Sequence, residues 1–197
     1  MSHLVRAYRP ADERSWLRCR VLSFLDTPYY DNVLIAKPAT PPPGFALVAV
    51  DEERPARDAV VGCLDLTMAD RLATIETIAV HPDAQRQGIA TALLAEARAR
   101  AEAAGATTLD AWTRDQPSSL AWYHAMGFQE SDHYLHVYAN AYVDEGEPER
   151  AVERPRPGLR PITVFSHAGL DREAEMRARF QRVHICRRFS QPLDSHA

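Results

Sequence analysis

The sequence has few cysteines, and they are not arranged for a metal site or a disulfide framework. Cys19, Cys63 and Cys186 make an odd number at wide spacings, without a Cys-x-x-Cys pair among the 197 residues. A zinc knuckle needs cysteines paired at short spacing, and a small disulfide-stabilised domain needs an even set. We therefore expect reduced thiols, no bound metal and a cytoplasmic protein.

Long apolar runs and an excess of basic residues are also missing. No stretch reaches the roughly 18 apolar residues that a membrane-spanning helix requires, and the N-terminal MSHLVRAYRP lacks the apolar core of a signal peptide. Lysine and arginine total 23 against 27 aspartate and glutamate residues, which gives a net charge of -4. The sequence therefore predicts neither a membrane nor a nucleic acid as partner.

Composition and periodicity indicate a mixed globular fold of about one domain. Apolar spacing predicts strands at 4–9, 45–50, 59–68, 73–80, 108–113, 134–138 and 182–189, and helices at 11–25, 88–104, 117–126 and 171–180. In the first helix, an apolar stripe of Trp16, Cys19, Leu22 and Leu25 is expected to face the core. Because strands and helices do not alternate regularly, the predicted fold class is α/β of the α+β type.

The segment 75–91 has the strongest chemical signal. A predicted strand ends at His81-Pro82, and after a short turn Gly88 opens a long helix. The first N–H groups of a helix are unpaired and lie at the positive end of its dipole, so they bind phosphate where the backbone is accessible. The small residues Gly88, Ala90 and Thr91 permit that approach. The GxxxxGK[ST] pattern of nucleoside triphosphatases does not occur here.

This segment resembles the pyrophosphate loop of the GNAT superfamily of N-acetyltransferases, whose pattern is [Arg/Gln]-x-x-Gly-x-[Gly/Ala]. The matching run is Gln85-Arg86-Gln87-Gly88-Ile89-Ala90, and the preceding Ile78-Ala79-Val80-His81-Pro82 resembles the family's fourth strand. The resemblance implies acetyl-CoA as co-substrate, with its pyrophosphate on the amides of Arg86 through Thr91 and its pantetheine arm along Ile78-Ala79-Val80. It also implies a mixed, mostly antiparallel sheet of about six to seven strands flanked by helices.

A second motif, Leu120-Ala-Trp-Tyr-His-Ala-Met-Gly-Phe128, resembles the family's late helix with its (Leu/Phe)-Tyr-x-x-x-Gly-Phe pattern. The resemblance implies that Tyr123 protonates the departing coenzyme A thiolate, for which a phenol with an ordinary pKa near ~10 is a fair acid. The alternative is that Tyr123 only packs. Gln116 stands where the family usually has asparagine, seven residues before this tyrosine, and it retains the ability to hydrogen bond the cofactor.

Glu76 is the candidate general base. Acetyl transfer requires a neutral amine, and many family members have a catalytic glutamate near this point that acts through a water. On the predicted strand, Thr74, Glu76 and Ile78 are expected to share one face. The alternative for Glu76 is a solvated or substrate-orienting carboxylate, and His124, His133 and Asp110 are weaker candidates.

The resemblance covers roughly residues 4–137 and implies direct transfer of an acetyl group to a primary amine of a small molecule. A strand amide near Ile78 to Val80 would stabilise the oxyanion, and no cysteine is needed as nucleophile. Three alternatives stay open. The acceptor could be a protein or peptide, the acyl group could be longer, or the chain could be an acyl-CoA-binding module without catalysis.

Residues 140–181 are expected to form an insertion before the last strand of a single domain spanning 1–197. Its first half, 144–157, is rich in Glu, Arg and Pro and is predicted to be exposed. Placed near the acceptor, the acidic residues Asp144, Glu145, Glu147 and Glu149 would favour a cationic amine. A solvated charge run, or a contact within a homodimer, is the alternative.

Overall fold

One sheet with helices on both faces organises the chain, and the computed structural model describes residues 3–152 and 154–193. The strands are β1 (Leu4–Ala7), β2 (Phe45–Val50), β3 (Val60–Ala69), β4 (Leu72–Val80), β5 (Thr108–Arg114), β6 (Gln129–Asn140), β7 (Thr163–Ala168) and β8 (Arg182–Pro192). The helices are α1 (Glu13–Phe24), α2 (Ile89–Ala103), α3 (Pro117–Ala125), α4 (Glu147–Ala151) and α5 (Glu173–Arg179). No helix within these described ranges is long and apolar enough to cross a membrane.

The eight strands lie in the order β1-β2-β3-β4-β5-β8-β6-β7. Every neighbouring pair is antiparallel except β4 and β5, which are parallel. The predicted fold class is confirmed, with one strand more than expected. That strand, β7, lacks a strong apolar alternation because its half-buried positions are Val164, Ser166 and Ala168.

Helices cover the two faces of the sheet unequally. On the side that we call the front face, α1 packs Trp16 and Cys19 against Val48, Cys63 and Ala79. On the opposite side, the back face, Leu93 and Leu94 of α2 and Tyr123 of α3 belong to the largest core cluster. Helix α5 covers the far end of the back face through Met176. Side chains of β4 are therefore packed on both faces of the sheet.

A cleft opens because β4 and β5 pair over only part of their length. Their register runs from Leu72 opposite Thr108 to Ile75 opposite Ala111, and beyond Ile75 the two strands separate. On its other edge, β4 stays paired with β3 up to Val80. The edge of β4 from Glu76 to Val80 is thus left without a strand partner on the β5 side.

The segment 140–181 is more ordered than its composition indicates. Glu147 is buried, and its carboxylate accepts hydrogen bonds from the backbone N–H groups of Asn140 (2.9 Å) and Gln181 (2.7 Å). Asp144 is paired with Arg150 at 2.6 Å. The expected exposed run is therefore wrong at Glu147, because this carboxylate replaces the missing backbone partners where β6 ends and β8 begins. Glu153 of the same run lies outside the described residues.

Candidate functional site

The turn before α2 offers backbone amides to a ligand. Arg86 and Gly88 both have left-handed backbones, with φ of 61° and 78°. Gly88 is the N-cap of α2 and provides no side-chain cap for the amides that follow, and a Cβ at Gly88 would meet nothing within 4 Å. The first turn of α2 therefore presents unpaired N–H groups and the positive end of the helix dipole to open space.

This turn lies at one end of the cleft between β4 and β5, which has a volume of about 530 Å³. The cleft brings together most of the predicted site residues: Glu76, Ile78, Ala79, Val80, Gln85, Arg86, Gly88, Ile89, Ala90, Thr91, Gln116 and Tyr123. Gln87 does not line it, since its amide instead contacts Nε2 of His3 at 3.1 Å.

Tyr123 lies at the back wall of the cleft. Its ring stacks on Phe189 with a centroid distance of 5.2 Å and meets the edge of Phe128 at 5.3 Å. Burial raises the pKa of the Tyr123 phenol well above its ordinary value, so the hydroxyl keeps its proton throughout the neutral range. The side chain is therefore packed in place, and it borders the cleft with its hydroxyl protonated.

Glu76 occupies a β-bulge, which corrects the expected arrangement of side chains along β4. Asp65 pairs with Thr77 and Leu66 with Ile75, so Glu76 is the extra residue. As a result Ile75 and Ile78 both pack on the back-face core, and the prediction that Thr74, Glu76 and Ile78 share one face is wrong. The exposed Glu76 carboxylate accepts a hydrogen bond of 2.6 Å from the Thr67 hydroxyl.

Thr67 shows which way Glu76 points. Along β3, Leu64 and Leu66 pack on the back face and Cys63 on the front, so alternation places Thr67 on the front face. The Glu76 carboxylate that it holds is directed to that side of the cleft. Tyr123, on α3, belongs to the back face. The two candidate catalytic groups therefore approach the cleft from opposite faces.

The front end of the cleft was not predicted. It is lined by Arg20, Ser23 and Phe24 of α1, by Thr27, Tyr29 and Asn32 of the segment that follows, and by Trp112 of β5. The segment 26–44, with Pro28, Pro38 and the run Pro41-Pro42-Pro43, has the composition of an irregular loop. The one usable signal was the aromatic pair Tyr29-Tyr30 in a polar, proline-containing stretch.

Arg114 fastens that segment over the cleft. Its backbone N–H donates to the Tyr29 hydroxyl at 2.9 Å, and its guanidinium lies 4.2 Å from the Tyr29 ring centre. The same guanidinium donates to the Pro28 carbonyl, to the Tyr138 hydroxyl and, at 3.2 Å, to Nδ1 of His136. Burial, with help from the Arg114 charge, lowers the pKa of His136 to about 4, so the imidazole is neutral and accepts this bond.

The described residues contain no group of three or more His, Cys, Asp or Glu side chains placed to hold a metal ion. The three cysteines are buried and free, and none lines the cleft. The polar groups that line the cleft include backbone amides, the phenols of Tyr29 and Tyr123, the Glu76 carboxylate and the guanidinium groups of Arg20 and Arg86.

A model of the acetyltransferase (GNAT) family matches residues 3–128. This match covers more than half of the chain, and the chain belongs to the GNAT acetyltransferase family. No curated protein has significant sequence similarity to it.

Solved structures share the fold. The ribosomal-protein-S18-alanine N-acetyltransferase of Escherichia coli is 15% identical, with a TM-score of 0.60 over 100% of this chain and 97% of that one. The phosphinothricin acetyltransferase of Sinorhizobium meliloti, in complex with AcCoA, is 21% identical, with a TM-score of 0.56 over 98% and 89%. The PaiA N-acetyltransferase of Thermoplasma acidophilum, in complex with coenzyme A, is 15% identical, with a TM-score of 0.55 over 67% and 92%.

Proposed function

We propose that the protein transfers an acetyl group from acetyl-CoA to a primary amine of a small molecule. One observation carries this proposal: a single cleft connects the open amides at the start of α2 with Glu76 and Tyr123. An anionic group bound at the Gly88 turn and a reacting centre near Tyr123 would thus be held by the same cleft. Membership of the GNAT family supports the same chemistry.

Different residues of the cleft would bind different parts of acetyl-CoA. The amides from Arg86 to Thr91 fit a pyrophosphate, because they are uncapped and at the positive end of a helix. The backbone of Ile78, Ala79 and Val80 on the β5 side of β4 fits the amide-containing pantetheine arm. Gln116, at the N-cap of α3, is near enough to the cleft to add a side-chain hydrogen bond. The co-substrate supplies the activated acetyl group.

Catalysis then needs two proton transfers, one by Glu76 on the front face and one by Tyr123 on the back face. A neutral amine attacks the thioester carbon, the C–N bond forms and the C–S bond breaks. A backbone amide near Ile78 to Val80 stabilises the negative charge on the carbonyl oxygen. Glu76 accepts the amine proton, directly or through a water, and Tyr123 gives its proton to the leaving thiolate.

The cover of the front end favours a small acceptor over a protein chain. The whole cleft has a volume of about 530 Å³, and acetyl-CoA would take up part of it, so limited space is left for the acceptor. The segment 25–44 lies over the front end and is tied down by Arg114, which leaves less room for an extended polypeptide. The cytoplasmic location and the homodimer remain predictions.

An acceptor screen tests the proposed function. Free thiol released from acetyl-CoA is measured with amines, amino acids, aminoglycosides and peptides as acceptors. We expect release with at least one class of small primary amine. Release with peptides only would support a peptide or protein acetyltransferase, and tight acetyl-CoA binding without release to any acceptor would support a binding module.

A further inference from the structure

Arg20 is a buried cation at the front end of the cleft. The residue lines the cleft but is only 6% exposed. Its Nη1 donates to the Asn32 carbonyl at 2.7 Å, and its guanidinium carbon lies 4.5 Å from the centre of the Phe24 ring. Nε is buried without a hydrogen-bond partner among the residues that the structure describes. An unused N–H on a buried guanidinium is costly until an acceptor such as a water or a ligand completes its bonding.

The charge of Arg20 is only partly offset by the acidic groups around it. Within the described part of the chain, no carboxylate lies within 4.0 Å of its nitrogen atoms. Asp65, the carboxylate that most influences it, is instead 3.1 Å from the Lys37 ammonium, and both of those side chains are buried, 8% and 5% exposed. Desolvation lowers the pKa of Arg20, as expected for a cation removed from water without its own counter-ion.

Arg20 therefore presents a positive charge to a ligand in the cleft. Glu76 lies on the same front side of the cleft and offers the opposite charge. A ligand that satisfies both groups carries an anionic group and an amino group in one small molecule. The rings of Phe24 and Trp112, which also line the cleft, offer apolar surface to the remainder of that ligand.

We propose that Arg20 binds the carboxylate of an amino-acid acceptor whose amino group is directed toward Glu76 for acetylation. The inference rests on the proposed function and specifies the acceptor class. The planar guanidinium suits a carboxylate because two of its N–H groups can donate in parallel. In this arrangement Arg20 is a specificity-determining residue, and the reaction itself is unchanged.

Matched acceptors test the proposal. Steady-state kinetics are measured with each proteinogenic amino acid, its amide and the corresponding decarboxylated amine, with rates corrected for the fraction of neutral amine. The wild-type enzyme should have a lower KM for the carboxylate-bearing member of the best series. In Arg20→Met the KM for the carboxylate-bearing acceptor should rise about ten-fold to a hundred-fold, which corresponds to the loss of one or more charge-assisted hydrogen bonds. The KM for the amide should change little. Arg20→Lys should restore part of the loss.

Two controls separate binding from folding. Arg18→Met removes a guanidinium from the same helix, but Arg18 is half-exposed and contacts Asp58 at 2.6 Å, so this variant should match the wild type. Calorimetry should show the same affinity for acetyl-CoA in both variants. A general disturbance of α1 would raise the KM of acid and amide together.

The outcomes are distinct. The role of Arg20 would be overturned if Arg20→Met changed the KM for acid and amide equally, or if the wild-type enzyme had a lower KM for the carboxylate-free amine. Either result would leave the proposed function standing. Failure to acetylate any acceptor would overturn the proposed function, and this inference with it.

Discussion

Replacing Tyr123 with phenylalanine isolates the chemistry of one hydroxyl. The ring is held by Phe189 and Phe128, and phenylalanine preserves both contacts. The Tyr123 hydroxyl makes no hydrogen bond to another described side chain or backbone group, so its removal strands no buried partner. The free energy of unfolding should therefore change by less than about 1 kcal/mol.

The expected kinetic effect follows from the buried phenol. General acids typically contribute about a hundred-fold or more, but the raised pKa of Tyr123 makes it a weaker acid than a free phenol. We therefore expect turnover to fall by about ten-fold or more, equivalent to about 1.4 kcal/mol or more of transition-state stabilisation. The affinity for acetyl-CoA should be nearly unchanged. Because the phenol stays protonated, the loss should be the same from about pH 6 to about pH 9.

The assay is thiol release with saturating acetyl-CoA, together with calorimetry and thermal unfolding of the same preparations. Tyr142→Phe is the matched control, because Tyr142 is 86% exposed and lies outside the cleft. It makes the same chemical change without a catalytic consequence. Wild-type turnover in Tyr123→Phe across that pH range would refute the reasoning and leave Tyr123 as a packing residue.

Three further expectations concern two carboxylates, Glu76 and Glu147, and one histidine, His136. Glu76→Gln should remove the acid limb of the pH–rate profile, and an unchanged limb would assign the base to another group or to solvent. Glu147→Ala should lower the free energy of unfolding by about 3 kcal/mol, because the N–H groups of Asn140 and Gln181 lose their partner. Urea titration measures this change, and a loss below about 1 kcal/mol would contradict the burial of that carboxylate. The pKa of His136 is lowered to about 4 from 6.5, so its contribution to stability is present above about pH 6.5 and is lost as the pH falls toward about 4. His136→Asn should flatten that decline in a series of thermal melts, and an identical decline in both proteins would show that other groups cause it.

Sequence reasoning predicted most of the elements of the sheet because their signals are local. The strands up to β5 and the helices α2 and α3 have clear apolar spacing and strong stop residues such as Gly105 and Gly127. In α1, Trp16 and Cys19 are buried as the stripe predicts, but Leu25 is 60% exposed. The helix ends one residue earlier, and the chain turns away there.

The part of the site that was missed depends on contacts between distant residues. The bulge at Glu76 arises from the register between β3 and β4, which alternation within β4 alone does not indicate. Arg20 follows the buried Cys19 on α1, where an arginine is ordinarily assumed to reach solvent. It is buried here because Phe24, Asn32 and the covering segment enclose it, an arrangement that only the tertiary fold provides.

In the segment 140–181, too, contacts between distant residues decide burial, and composition alone does not indicate them. Composition indicates exposure at 144–157, yet Glu147 is buried by its two backbone partners. No residue of this segment that the structure describes lines the cleft, so its acidic residues give no reason to expect a cationic acceptor. Its role as an insertion remains a prediction.

Titration of the protein with acetyl-CoA in a calorimeter tests the central claim most directly. The wild-type protein should bind with a dissociation constant of about a micromolar, or roughly -8 kcal/mol. Gly88→Glu should abolish binding, because a side chain and a negative charge would enter the open space before the α2 amides. Gly105→Glu is the matched control, since Gly105 also has a left-handed backbone and open space around it but lies at the other end of α2. Abolished binding in Gly88→Glu alone is the predicted result, and unchanged affinity in that variant would contradict the assignment of the site.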